Sequence, residues 1–180
     1  DLYAVMGDIL YKKKDKQAAY AAYDSCLQWK DDNVMALNNY AYYLSEKGVD
    51  LHKAEAMSYK TIKAEPNNGT YLDTYAWILF MEERYADAKT YIDQALKNRD
   101  STADNSTVLE HAGDIYYMNG MADESVDFWK KAYTGENQTE VLAWKIKNRQ
   151  YITGEELKKR NAPKQKPAAT KKSVRKGKKK

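Results

Sequence analysis

Two series of small residues recur along this chain at almost constant separation. The members are Gly7, Ala41, Ala76 and Gly113 in the first series, and Ala19, Ala54, Ala88 and Ser125 in the second. The separations are 34, 35 and 37 residues in the first series and 35, 34 and 37 in the second. Two independent series with nearly the same separations indicate a structural repeat, which constrains the fold more than any single motif does.

Each small residue lies within a helical apolar pattern. Leu37 and Leu44 flank Ala41, and Leu72 and Leu79 flank Ala76, at spacings of three and four residues that place them on one helix face. The two series therefore predict two antiparallel helices per repeat, with a small residue where the backbones approach each other. Such a helix pair cannot bury its apolar face alone, so neighbouring pairs are expected to stack into a solenoid.

The pattern resembles the tetratricopeptide repeat (TPR) family. The family consensus places an aromatic residue, Leu, Gly and Tyr on the first helix and Ala, an aromatic residue and Ala on the second, and Leu109, Gly113, Tyr116, Trp129 and Ala132 follow it. The resemblance implies an all-α fold, a right-handed α-solenoid of about four helix-turn-helix repeats with a C-terminal capping helix. It is closest to the C-terminal part of a bacterial-type TPR protein.

The expected organisation has an array followed by a tail. The repeats are expected at about 1–31, 34–66, 69–100 and 105–137, the capping helix at 138–150, a short helical extension at 151–161 and a Lys-rich tail at 162–180. The extension carries a capping-box pattern, Thr153 with Glu156. The tail combines Pro, Ala, Thr, Ser and Gly with cations, so its composition predicts disorder.

In the TPR family the first helices line a concave groove that receives a peptide or a neighbouring protein. The positions carried over to this sequence are Asp8, Tyr11, Asn38, Tyr42, Asp73, Trp77, Phe80, Glu110, Asp114 and Tyr117. These aromatic and acidic side chains predict a protein or peptide partner that is apolar and carries Lys or Arg. For any one aromatic residue, packing between adjacent repeats is the alternative.

One known ligand of the family does not fit. Some TPR proteins hold the C-terminal carboxylate of a chaperone with Lys, Arg and Asn side chains. The corresponding positions here are Ala4, Asp8, Asn39, Thr70 and Thr74, of which only Asn39 matches. A carboxylate would meet acidic side chains instead of cations, which argues against this ligand.

Charge divides the chain into two parts. Residues 161–180 contain nine Lys or Arg and no acidic residue, whereas residues 1–160 contain 21 basic and 26 acidic residues. The tail could bind a polyanion, such as nucleic acid or an anionic surface, by neutralising phosphates. The residues of this alternative site are Lys171, Lys172, Arg175, Lys176, Lys178, Lys179 and Lys180.

The sequence offers little for catalysis. The two histidines, His52 and His111, lie 59 residues apart, and there is no phosphate-binding glycine loop or serine elbow. Cys26 takes the place of a packing Ala, so a buried thiol is expected. We therefore expect a non-enzymatic protein without cofactor or metal. The oligomeric state stays open, as does localisation, where analogy to bacterial relatives suggests the cell envelope and the cytoplasm is the alternative.

Overall fold

The computed structural model describes residues 2–100 and 103–162, and within these ranges the chain is helical, without strands. The α-helices are α1 (Leu2–Lys12), α2 (Lys16–Trp29), α3 (Val34–Ser45), α4 (Leu51–Ala64), α5 (Gly69–Met81), α6 (Tyr85–Asn98), α7 (Ser106–Met118), α8 (Ala122–Ala132), α9 (Glu140–Asn148) and α10 (Gly154–Asn161). A 3₁₀ turn at Gly135–Asn137 precedes α9. The predicted Lys-rich tail beyond Ala162 lies outside the described residues.

The helices stack as consecutive pairs. Helices α1 and α2, α3 and α4, α5 and α6, and α7 and α8 pack against each other, and the second helix of each pair also contacts the first helix of the next. The first helices α1, α3, α5 and α7 contact one another in sequence along one side of the array. This arrangement is an α-solenoid of four helix pairs, as the sequence period predicts.

The small residues lie where a helix backbone meets an aromatic ring. A Cβ atom added to Gly7 would lie 2.7 Å from the ring of Tyr23, and one added to Gly113 would overlap the ring of Trp129. Tyr23 and Trp129 are fully buried. Glycine is thus required in the first and fourth pairs because the ring of the second helix lies directly on the backbone of the first.

The first helix of each pair ends in the same way. Lys14, Gly48, Glu83 and Gly120 occupy equivalent positions and all have left-handed backbone, with φ between 61° and 79°. In the fourth pair the Gly120 amide donates to the Tyr117 carbonyl oxygen and the Met121 amide to the Tyr116 carbonyl oxygen. These two bonds form a Schellman motif, and the same pair of bonds recurs in the other three repeats. Two repeats accept a side chain where glycine is preferred.

Helices α9 and α10 close the described part of the array. Thr139 caps α9 by accepting a hydrogen bond from the Leu142 amide, and Leu142 is fully buried against α8. Helix α10 begins at a complete capping box, in which Thr153 and Glu156 accept hydrogen bonds from each other's backbone amides. Ile152 and Leu157 anchor this last segment, with 3% and 4% of their surface exposed.

Candidate binding groove

An open pocket lies along the first helices of the second, third and fourth pairs. Its volume is about 570 Å³. Of the predicted groove residues, Asn38, Tyr42 and Asp73 line it, together with Asn39, Asn67, Asn68, Gly69, Thr70, Thr74, Asn98, Arg99, Asp100, Ala103, Asp104, Asn105, Thr107 and Val108. The lining is rich in carboxamides and hydroxyls, which can both donate and accept hydrogen bonds.

A buried ion pair lies at one wall of this pocket. The Nδ1 atom of His111 is 2.9 Å from Oδ1 and 3.2 Å from Oδ2 of Asp73, and both side chains are buried. Burial alone lowers the pKa of His111, but the charge of Asp73, with those of Asp114 and Glu110, outweighs it and raises the pKa above its usual value. Asp73, predicted to select cations, therefore already has a cationic partner when His111 is protonated.

A row of stacked rings lies next to the His111–Asp73 ion pair. The rings of Trp77 and His111 stack at 4.1 Å between centroids, and those of Trp77 and Phe80 stack at 4.8 Å. Two buried polar atoms here, Nε1 of Trp77 and Oδ1 of Asn38, have no hydrogen-bond partner among the described residues. Trp77 is half-buried and Phe80 is buried.

Two acidic side chains at this end of the array, Asp8 of α1 and Glu46 after α3, have neutral hydrogen-bond partners. The carboxylate of Asp8 accepts hydrogen bonds from the Tyr23 hydroxyl and from Nδ2 of Asn39. Glu46 accepts one from Tyr11 at 3.0 Å and one from Tyr42 at 3.3 Å. In the part of the chain that the structure describes, neither Asp8 nor Glu46 belongs to an ion pair. Lys16 interacts electrostatically with Glu46 without forming an ion-pair contact, so the charge of Glu46 is partly compensated.

Lys145 of α9 forms ion pairs with the acidic side chains of the fourth pair. Its Nζ atom lies 2.7 and 2.8 Å from the two carboxylate oxygens of Asp114 and 3.1 Å from Oε1 of Glu110. Nε1 of Trp129 donates a further bond of 2.8 Å to Asp114. The side chains of Lys145 and Asp114 are each 4% exposed. Two predicted groove acids are thus already engaged by a cation of the same chain.

Tyr151 packs against aromatic side chains of the third and fourth pairs. Its ring centroid is 5.7 Å from that of Phe80 and 6.5 Å from that of Tyr117, and Nζ of Lys145 lies 5.3 Å from it. The predicted groove is therefore divided. Asn38, Tyr42 and Asp73 line an open pocket, whereas Phe80, Glu110, Asp114 and Tyr117 contact the C-terminal segment.

Lys145 and Tyr151 were not among the predicted groove residues. A sequence signal existed for Lys145, because it lies 31 residues after Asp114, as Asn39 lies 31 residues after Asp8, and both donate back to that Asp. Helix α9 thus takes the place of the first helix of a further repeat. Tyr151 follows a turn that the repeat pattern does not contain, so its position could not be read from the period.

The other predicted site lies outside the described residues. All seven cations of the alternative polyanion site, from Lys171 to Lys180, lie beyond Ala162, so polyanion binding stays a prediction. Over residues 2–100 and 103–162, no cluster of three or more His, Cys, Asp or Glu side chains could hold a metal ion. No helix of those residues is both long and apolar enough to cross a membrane.

Comparison with known proteins gives one relative by sequence and several by structure. No family model matches the chain. Over 66 residues the chain is 35% identical to a TPR repeat-containing protein of Pseudomonas aeruginosa, a match covering 37% of this chain and 11% of that protein. The chain thus matches about a tenth of the length of this curated relative.

Solved structures extend the likeness to most of the chain. PilF of Pseudomonas aeruginosa is similar with a TM-score of 0.69, at 16% identity over 83% of this chain and 66% of that one. A tetratricopeptide repeat protein of Parabacteroides merdae gives 0.63, at 19% identity over 82% and 56%. YrrB, a TPR protein described as having an unusual peptide-binding site, gives 0.57, at 17% identity over 82% and 74%.

Four stacked helix pairs, with their first helices side by side, define an α-helical repeat protein of the solenoid class. In its period of 34 to 37 residues, in sequence over 66 residues and in fold, the chain is similar to tetratricopeptide repeat proteins.

Proposed function

We propose that the chain is a non-catalytic protein–protein interaction scaffold that binds an extended segment of another protein in the open pocket. The observation that carries this proposal is the pocket itself, about 570 Å³ of space lined by side chains from three successive first helices. Its volume lies in the range of ligand-binding clefts. YrrB, a protein of the same fold, has a peptide-binding site by its description, which supports a peptide as the ligand class.

The lining favours a polypeptide main chain. A carboxamide presents a donor and an acceptor side by side, as a peptide unit does, so the two can exchange a pair of hydrogen bonds. Asn39, Asn68 and Asn105 already form hydrogen bonds within the chain, whereas Asn67 is exposed at the pocket and Oδ1 of Asn38 has no partner among the described residues. An extended segment could bond to these last two side chains without requiring a particular residue at each position.

The two acidic side chains that form no ion pair in the described part of the chain, Asp8 and Glu46, favour a basic ligand. Asp8 and Glu46 have only neutral hydrogen-bond partners among the described residues. A Lys or Arg of the ligand near this end would gain Coulomb attraction, which salt weakens because these groups are partly exposed. Apolar ligand side chains would pack on Tyr42 and Trp77.

The experiment is a selection from a random peptide library displayed on phage, followed by affinity measurements on Thr70→Arg. Thr70 is exposed and lines the pocket, so a long side chain there fills the space without disturbing the core. The matched control is Thr90→Arg, because Thr90 is an exposed helical Thr on α6 outside the pocket. Circular dichroism verifies that both variants fold.

We expect the selected peptides to contain Lys or Arg beside apolar residues. Thr70→Arg should weaken their binding at least about tenfold, equivalent to about 1.4 kcal/mol, whereas Thr90→Arg leaves it unchanged. Equal affinities for the two variants would place the binding site elsewhere and reject the proposal.

A further inference from the structure

The C-terminal segment carries the chemistry that the first-helix side was predicted to bind. An apolar ligand with a Lys was expected from the aromatic and acidic positions, and the chain itself supplies both. Lys145 bonds to Asp114 and Glu110, and six residues later Tyr151 packs against Phe80 and Tyr117. The C-terminal segment is therefore an example of a ligand that this part of the groove binds.

Tyr151 is held differently from Lys145. Lys145 belongs to α9, is almost fully buried and makes three short bonds to carboxylate oxygens. Tyr151 lies in the turn between α9 and α10, remains partly exposed, and its hydroxyl makes no hydrogen bond among the described residues. Ring packing and the nearby Lys145 ammonium keep the Tyr151 ring in place, and another aromatic side chain can reproduce both contacts.

The segment that carries Tyr151 is held by two buried apolar side chains and by contacts at its surface. Two apolar side chains, Ile152 and Leu157, are buried. Its other contacts are an exposed ion pair of Arg149 with Asp123, a bond of 3.1 Å from Asn161 to Glu140 and the Arg160 guanidinium over Trp144. Opening this segment would expose Ile152 and Leu157, whereas its exposed polar contacts contribute little to stability, and α1 to α8 can stay packed.

We propose that Phe80 and Tyr117 form an aromatic subsite that Tyr151 fills in the free protein and that an aromatic residue of a protein partner fills in its place. This inference rests on the proposed function, because the partner is a segment bound along the same first helices. The partner's aromatic residue would enter beside its contacts in the open pocket, and residues 149–161 would move away. Tyr151 thus competes with the partner and favours segments that carry an aromatic residue.

The test compares two tyrosine variants of the full chain. Tyr151→Ala empties the subsite, and Tyr133→Ala is the control, because Tyr133 is also partly buried and packs on the same Trp129 and Leu142 cluster without a ring contact to Phe80 or Tyr117. The probe is a set of peptides selected from a random phage-displayed library on Tyr151→Ala. Their affinities are then measured for the unsubstituted chain and both variants.

The expected result is enrichment of Tyr, Phe or Trp in these peptides. They should bind Tyr151→Ala at least about tenfold more tightly than the unsubstituted chain or Tyr133→Ala. Adding Tyr117→Ala to Tyr151→Ala should remove that gain. Loss of stability alone would not produce a gain that depends on Tyr117. Equal binding to the unsubstituted chain and Tyr151→Ala, or a gain that survives Tyr117→Ala, would overturn the inference.

The two proposals fail in different experiments. Thr70→Arg tests the open pocket in the unsubstituted chain, and Tyr151→Ala with Tyr117→Ala tests the aromatic subsite. If Thr70→Arg has no effect while the gain on Tyr151→Ala depends on Tyr117, the open pocket is rejected and the subsite stands. If Thr70→Arg weakens binding and Tyr151→Ala gives no gain, the scaffold proposal stands and the subsite is rejected.

Discussion

Replacing Lys145 with Met should cost this array a large part of its stability. Removing one partner of a buried ion pair leaves an uncompensated charge, which typically costs about 3–5 kcal/mol. Lys145 and Asp114 are each 4% exposed, so water reaches neither group freely. Nε1 of Trp129 still donates to Asp114 in the variant, and Glu110 is 23% exposed and can turn toward solvent. We therefore expect the lower end of that range, about 3 kcal/mol.

The loss of stability in Lys145→Met should depend on pH. Burial raises the pKa of Asp114 above its usual value even though Lys145 opposes this, and without Lys145 the pKa rises further. The folded variant then holds a proton that the unfolded chain releases, so its stability falls as the pH rises. Lys145→Met should be closer to the unsubstituted protein at about pH 5 than at about pH 8.

The assay is urea unfolding followed by circular dichroism on a double-mutant cycle. The cycle contains the unsubstituted chain, Lys145→Met, Asp114→Asn and the double variant. Because the two groups share one set of bonds, the double variant should lose less than the sum of the single variants, by about 1–3 kcal/mol. A loss below about 1 kcal/mol for Lys145→Met, or additive losses, would refute the buried ion pair as a main support of α9.

Two further predictions concern the turns and the buried histidine. Glu83→Gly should raise the free energy of unfolding by about 0.5–1 kcal/mol, because it relieves left-handed backbone at a non-glycine residue while adding freedom to the unfolded chain. Gly120→Ala should lower the free energy of unfolding by about 1 kcal/mol. Thermal unfolding of both variants measures these changes, and a loss for Glu83→Gly with a gain for Gly120→Ala would contradict the turn assignment. The pKa of His111 is raised in the folded state, mainly by Asp73 against the effect of burial, so His111 stabilises below its unfolded pKa and this contribution is lost as the pH rises through the folded value. Unfolding free energies at about pH 6 and about pH 9 should therefore differ more for the unsubstituted chain than for His111→Gln, and equal differences would exclude the Asp73 pair as the cause.

The sequence was sufficient for the fold because its signal is repeated. The small residues of both series recur four times and all are buried, and at Gly7 a larger side chain would overlap the ring of Tyr23. The turn positions repeat as well, and Gly48 and Gly120 mark two of them. The other two turn positions, Lys14 and Glu83, could not be predicted from the sequence, because neither residue type indicates a left-handed backbone.

The division of the groove could not be predicted in the same way. Repeat positions place Phe80, Asp114 and Tyr117 on the first-helix side, but they do not tell what covers them. The cover comes from Lys145 and Tyr151, and the position of Tyr151 depends on a turn after α9 that has no counterpart in the four repeats. The pairing of Asp73 with His111 likewise depends on side-chain reach between adjacent helices, 38 residues apart in sequence.

The most direct test of the central claim is a nuclear magnetic resonance titration of the ¹⁵N-labelled full chain with a selected peptide. Binding in the open pocket predicts chemical-shift changes concentrated at Asn39, Thr70, Thr74 and Asn105, which line it on three different helices or their entries. Changes confined to the surface around His52, Tyr59 and Tyr75, with the pocket residues unaffected, would contradict the account.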